Sequence, residues 1–192
     1  MRDIDIRLAL REIMTRRHGN EPDTLIVEEL GLCQGIARVD MAVVNGSLHG
    51  YEIKSESDTL VRLPGQTDVY NRALDFVTII AAQTHAHKIS TMVPTWWGIW
   101  VAVPEVDGLK FQKKREAQQN PDVSAFALAQ LLWREEALQA LADRHLATGM
   151  RGKTREKLWR RLAELEVDVL GKIVRQQLKQ RGADWRPAPR PS

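Results

Sequence analysis

Asp40 is followed twelve residues later by Glu52, and Lys54 stands two beyond that. In an extended strand, side chains at i and i+2 share a face, so Glu52 and Lys54 point one way and Tyr51 and Ile53 the other. A charged pair on a strand whose opposite side is apolar is costly unless it meets water, a partner or a metal. Asp40 joins that face if it sits opposite Glu52 in an antiparallel hairpin. That register sets Val44 against Leu48 and leaves Asn45, Gly46 and Ser47 as a three-residue loop. A two-residue Asn45-Gly46 loop would instead set Asp40 against Tyr51, with the two carboxylates on opposite faces.

Facing carboxylates lie about 5 Å apart at Cβ. Both ionised, they repel, so the arrangement needs a proton or a cation between them. Magnesium suits it, taking a few protein oxygens and keeping several waters, with Mn²⁺ an acceptable substitute. A lysine beside the ion can orient a water and stabilise charge developing on a phosphate. A further acid often completes such a site. Glu12 lies on the first helix and Glu28 and Glu29 on the first strand, and we favour Glu29. Arg38 shares a face with Asp40 by alternation and can reach a phosphate, while Ser55, Asp58 and Arg62 shape the rim of the segment leaving the site. His49 reads as an exposed turn residue, His85 and His87 as surface residues, Trp96, Trp97 and Trp100 as packing residues, and Cys33 as inert.

The elements that must position these groups follow from pattern. Asp5–Arg17 has apolar residues at Ile6, Leu8, Leu10, Ile13 and Met14, close to helical spacing. Thr24–Leu30, Ile36–Val44 and Leu48–Lys54 have strand character. Pro64 fits the first turn of a helix running to Asp75, on which Gln66 and Tyr70 occupy one face. Phe76–Ala82 is a strand buried on both sides, His85–Lys88 a short turn, and Gly98–Val103 a last strand. Beyond Pro104, 123–146 and 154–178 are helical in pattern, with Gly171 a point of breakage.

The chain has 192 residues and 21.8 kDa, with 43% hydrophobic and 28% charged residues, the mixture of a globular domain. No run of about 18 apolar residues is present, so no membrane partner is expected, and the acidic start lacks a signal peptide. The lone Cys33 forbids an internal disulfide and a cysteine-based zinc site. The chain reads as cytoplasmic. Residues 1–109 carry a balance of −5 and residues 110–192 one of +8. This suggests a cation-binding or catalytic part beside a polyanion-binding part. Arg151, Lys153, Arg155 and Lys157 belong to a stretch that can contact phosphates without reading sequence.

Asp40, Glu52 and Lys54 in an α-β-β-β-α-β order resemble the PD-(D/E)XK nuclease superfamily, although Val39 stands where the name has proline. Gln66-Thr67-Asp68-Val69-Tyr70 resembles the Gln-x-x-x-Tyr element of its branch related to recombination exonucleases. Ala37–Asp40, Gly50–Ser55, Asp58–Leu60 with Arg62-Leu63, Gln66, Tyr70 and Pro94–Gly98 are similar to a group of short bacterial proteins of unknown function within it, over roughly residues 24–103. The resemblance implies an α/β, restriction-endonuclease-like mixed sheet at 1–108; charge and helical pattern add a basic helical extension at 109–183, and the proline- and arginine-rich composition a disordered tail at 184–192. The resemblance also implies metal-dependent cleavage of phosphodiesters. Asp40, Glu52 and the Ile53 carbonyl would hold Mg²⁺ with Glu29 in support, Lys54 would position the attacking water, and Gln66 and Tyr70 would orient the scissile region. Arg38, Arg62 and the basic stretch would bind DNA, RNA staying open. A homodimer would suit cutting of both strands. The alternative is a nucleic-acid-binding or assembly protein that keeps the fold without turnover.

Overall fold

The computed structural model describes residues 1–106 and 108–182, so the tail expected at 184–192 lies outside the described residues. Helix α1 (Asp3–His18) opens with Asp3 and Asp5 and closes with Arg16, Arg17 and His18, charges that complement its dipole. Strands β1 (Leu25–Leu32), β2 (Ala37–Val44) and β3 (Leu48–Lys54) follow, the first two joined by a 3-10 turn at Cys33–Gly35. Then come α2 (Leu63–Ala73), β4 (Phe76–Ala82), α3 (Gln83–Met92), β5 (Gly98–Glu105) and β6 (Gly108–Arg115). Four helices complete the described chain: α4 (Ala125–Ala129), α5 (Arg134–Ala142), α6 (Arg155–Leu162) and α7 (Val167–Arg181).

The strands form one mixed sheet in the order β1-β2-β3-β4-β5-β6, antiparallel at β1/β2, β2/β3 and β5/β6 and parallel at β3/β4 and β4/β5. Helix α1 covers one face, where Ile6, Leu10 and Met14 meet Met41, Tyr51, Ile53, Ile80 and Trp100. The other face buries Leu48, Ile79 and Ala81 against α2 and the C-terminal helices. Central β4 is covered on both sides, which is why it reads as an unbroken apolar run.

Three expectations change. The sheet does not end near residue 108: β6 pairs along β5, its Leu109 and Phe111 packing inward while Lys110, Gln112 and Lys114 face water. Its lysines protect an open edge, and they mask the alternation that marks a strand. The basic region is not an appendage either, because Leu128, Leu141, Leu158, Trp159, Leu170 and Val174 share one core with Leu48 and Tyr70. The helical pattern at 154–178 breaks at Ala163–Glu166 rather than at Gly171, which is buried inside α7. A Cβ there would come within 2.9 Å of Nη1 of Arg175, the atom that pairs with Asp75 at 3.2 Å. Glycine thus lets Arg175 lie along its own helix.

Helix α3 is also longer than the turn expected around His85–Lys88, with Ile89 as its buried anchor. Gly98 opens β5 where the chain passes closest to a neighbour: a Cβ would stand 2.9 Å from the Ala117 nitrogen and 2.8 Å from Thr78 Oγ1. Backbone cannot swing aside as a side-chain tip can. Gly98→Ala should therefore cost about 2–3 kcal/mol, read as a lower urea midpoint at unchanged m-value.

Candidate active site

The β2–β3 hairpin pairs Val44 with Leu48 and Met41 with Tyr51, and Asn45, Gly46 and Ser47 form its loop. Asn45 closes that loop by donating its N–H to the Ser47 carbonyl (3.0 Å) and accepting the Ser47 N–H at Oδ1 (3.1 Å). The register is the one that sets Asp40 opposite Glu52, one step beyond the last ladder pair. In β1, Glu28 faces Met41 and Leu30 faces Val39, so Glu29 stands opposite Asp40. Three carboxylates from three adjacent strands therefore occupy one row.

Alternation slips at this row. Val27 and its partner Ala42 lie on the many-helix face, and so do Leu30 and its partner Val39 three positions along. Glu29 absorbs the slip with a left-handed φ of 57°. Released from strict alternation, Asp40 turns its carboxylate into the gap between β2 and β3, where Oδ2 accepts the Ile53 N–H at 2.7 Å. Its Oδ1 accepts Nη2 of Arg7 at 2.7 Å. Arg7 also reaches the Asp40 carbonyl (3.2 Å), Glu29 (2.9 Å) and Asp3 (3.4 Å).

Glu52 and Lys54 alternate onto the face covered by α2, and both are buried, at 2% and 4% exposure. Lys54 Nζ donates to Glu52 Oε1 (2.6 Å) and to Gln66 Oε1 (2.9 Å). Gln66 Nε2 donates to the same Glu52 oxygen at 2.7 Å. Tyr70, one helical turn further along α2, gives its hydroxyl proton to Glu52 Oε2 at 2.6 Å, and the Arg38 carbonyl lies 2.8 Å away. Gln66 and Tyr70 meet the sheet because Pro64 starts α2 just after the Ser55–Arg62 loop. Asp58 braces that loop by accepting the Ser55 N–H at 2.7 Å and its hydroxyl at 2.6 Å.

The electrostatics follow from burial. Asp40 is pushed up to about 7 first by loss of water and then by the negative charge of Glu52, against the pull of the Ile53 N–H and Arg7. Burial and Glu52 likewise drive the Tyr70 phenol far above its usual range, so it stays a proton donor. Burial works against the Arg7 charge, but Asp40, Asp3 and Glu29 outweigh it and hold the guanidinium above its ordinary value.

Among the described residues no three His, Cys, Asp or Glu side chains converge on a point where a metal would sit. Glu29, Asp40 and Glu52 are aligned but form no cage. The donors are nonetheless all carboxylate oxygens, and Asp40 and Glu52 are close enough for one to perturb the other. This donor chemistry fits a hard divalent ion that keeps much of its water.

The other expected residues divide. Glu12 and Glu28 point away, to Arg16 (3.7 Å) and Arg11 (3.5 Å) on α1. Arg38 is half exposed and 3.6 Å from Glu29, and Arg62 is exposed at the α2 N-terminus. Arg151 and Lys153 do not share a helical stripe with Arg155, because Thr154 caps α6 and leaves them in the preceding turn. Arg155 lies over Trp159 and bonds Gln34 at 3.4 Å, which brings the basic stretch to the β1–β2 turn, at the site end of the sheet. Lys157 is exposed. His49 is not a free turn residue: it bonds Thr78 Oγ1 at 2.9 Å and stacks on Tyr51, and burial lowers it to about 4. Trp97 and Trp100 are buried, as expected of packing residues. Arg7 was missed by the sequence reading. It is one of four arginines on α1, and only the packing of that helix distinguishes it.

The sequence profile of a family described as Bacteriophage P4 protein cII matches residues 2–184. The chain belongs to that family. Protein cII of Enterobacteria phage P4 is 32% identical over 99 residues, which is 52% of this chain and 37% of the phage protein. The chain thus spans little more than a third of that relative's length. Among solved structures, the SPO1766 protein of unknown function from Silicibacter pomeroyi is 20% identical, with a TM-score of 0.42 over 73% of this chain and 87% of that one.

Proposed function

We propose that this chain is a metal-dependent nuclease of the PD-(D/E)XK type, built on a restriction-endonuclease-like core and acting on DNA in the cytoplasm. The observation that carries the reading is the buried Glu52–Lys54–Gln66–Tyr70 network beside Asp40. Burying an ion pair against an apolar sheet generally costs more stability than hydrophobic residues of the same volume, so such a cluster is better explained by chemistry than by packing.

Asp40, Glu52 and the Ile53 carbonyl would hold Mg²⁺ or Mn²⁺, with Glu29 outside them. When bound, the ion supplies Lewis acidity toward a phosphoryl oxygen and neutralises developing charge. The protein's own groups do the rest. Lys54, fixed by Glu52 and Gln66, orients the attacking water and takes up negative charge at the phosphate. Gln66 and Tyr70 hold the Glu52 carboxylate still, the phenol as a permanent donor. Arg38 and Arg62 grip the flanking backbone, and Arg155 extends the cationic track to Lys157, Arg151 and Lys153. A homodimer would present two such sites to a duplex.

The test is cleavage of linear and nicked DNA by purified protein with and without Mg²⁺, beside Asp40→Ala. Metal-dependent cutting that the substitution removes supports the reading. Cutting that survives it belongs to a contaminant. One observation favours the alternative of a non-cleaving nucleic-acid-binding protein: protein donors already engage every oxygen of Asp40 and Glu52. Salt-sensitive binding without cleavage in any metal would establish that alternative. In either case Arg155→Ala should weaken DNA binding several-fold across sequences and lower the salt slope by about one, measured by anisotropy from 50 to 200 mM salt.

A further inference from the structure

We propose that Arg7 is the resident counter-ion of this site, displaced from Asp40 when a divalent ion binds and drawn outward by a nucleic-acid backbone, so that metal and polyanion load together. The inference rests on the nuclease reading above and adds a coupling to it. Each Asp40 oxygen has one partner. Oδ2 is held by the Ile53 N–H, a backbone group fixed in the sheet, and Oδ1 by the Arg7 guanidinium at 2.7 Å. The oxygen that can be freed without disturbing the sheet is the one Arg7 occupies. Two cations cannot share it, because their mutual repulsion at contact would cancel much of what either gains.

Arg7 has somewhere to go. Its side chain and that of Asp40 are each only 18% exposed, but its outer partners, Asp3 at 46% and Glu29 at 45%, stand in water. Glu29 in turn lies 3.6 Å from half-exposed Arg38. A charge relay therefore runs from partly buried Asp40 through Arg7 and Glu29 to a surface arginine. A phosphate backbone arriving at Arg38 adds negative charge at the outer end and favours an outward Arg7. Because linkage is reciprocal, a backbone that promotes metal binding must itself be bound more tightly when metal is present.

The experiment measures Mn²⁺ binding by calorimetry at pH 8, using the full chain alone and with a phosphorothioate duplex that resists cleavage. Without duplex, Arg7→Gln should bind Mn²⁺ at least about tenfold more tightly than the unsubstituted protein. Adding duplex should tighten Mn²⁺ binding to the unsubstituted protein by about 5- to 100-fold, and this gain should largely vanish in Arg7→Gln. Arg7→Lys keeps the charge but loses the two-pronged grip, and should show a smaller tightening; it carries the test if thermal melting shows the glutamine variant unfolded. Equal affinity in unsubstituted and Arg7 proteins, with binding lost in Asp40→Ala, overturns the role of Arg7 and leaves the site standing. Weaker binding in Arg7→Gln also overturns it, since Arg7 would then serve to position Asp40. Absence of Mn²⁺ binding in every protein, with and without duplex, overturns the nuclease reading and this inference with it.

Discussion

If the proposed nuclease reading holds, Lys54→Met should abolish metal-dependent DNA cleavage, an expected loss of at least about 10³-fold, while the protein stays folded. Removing a positioned general acid–base group costs typically about 10²–10⁴ in rate, and removing a preformed charge that meets the developing phosphate charge costs a comparable factor. Methionine fills the space of the lysine stem, so the packing against α2 survives. The stability cost comes from Glu52, which loses its cation but keeps Gln66 and Tyr70 as donors. Breaking a buried ion pair by removing one partner costs about 3–5 kcal/mol, and the two remaining donors should hold this case near the lower end. The double variant Glu52→Gln, Lys54→Met separates the two effects. With no charge left to bury, it should recover most of the lost stability and none of the activity. Recovery of cleavage in the double variant would remove Lys54 from the chemistry. Urea unfolding and a plasmid cleavage assay on the same preparations supply both readings.

How far these groups could be foreseen depended on whether the signal was local. The hairpin register is a parity argument, and the three residues Asn45, Gly46 and Ser47 decide it, so the register that sets Asp40 opposite Glu52 was legible, whereas the turn of the Asp40 carboxylate toward Arg7 was not. The same holds for Glu52 and Lys54 sharing a face, and for Gln66 and Tyr70 meeting on one turn of α2. What lay beyond local pattern was what arrives from elsewhere in the chain. Arg7 reaches Asp40 across 33 positions because α1 packs on the sheet through Ile6 and Leu10. The slip of alternation at Glu29 arises from one backbone angle, which no residue type announces when glycine is absent. Strand β6 was hidden because an edge strand is selected for charge on its open side. The C-terminal helices looked like an appendage because net charge reports the water-facing surface, whereas Leu158, Trp159 and Val174 carry them into the core.

The second large effect concerns pH, and its sign is opposite to ordinary acid denaturation. Asp40 is raised to about 7 in the folded protein, by burial first and by Glu52 second, against about 3.9 in an unfolded chain. The folded state therefore binds more protons than the unfolded state between about pH 4 and 7. Across that window this group makes stability fall as pH rises. Its favourable contribution is complete below about pH 4 and gone above about pH 7. Asp40→Asn mimics the protonated form at every pH. Without added metal it should exceed the unsubstituted protein by only about 1 kcal/mol at pH 5 and by about 2–4 kcal/mol at pH 8, the latter roughly 5–10 °C in Tm. Mg²⁺ at pH 8 should raise the Tm of the unsubstituted protein, because an ion that binds only the folded state stabilises it, and should leave Asp40→Asn unmoved. Calorimetric scans of both proteins at the two pH values, with and without the ion, give the full comparison. An Asp40→Asn protein less stable at pH 8 would mean that Arg7 fully compensates the carboxylate. The site would then be a closed ion pair with no electrostatic need for a metal.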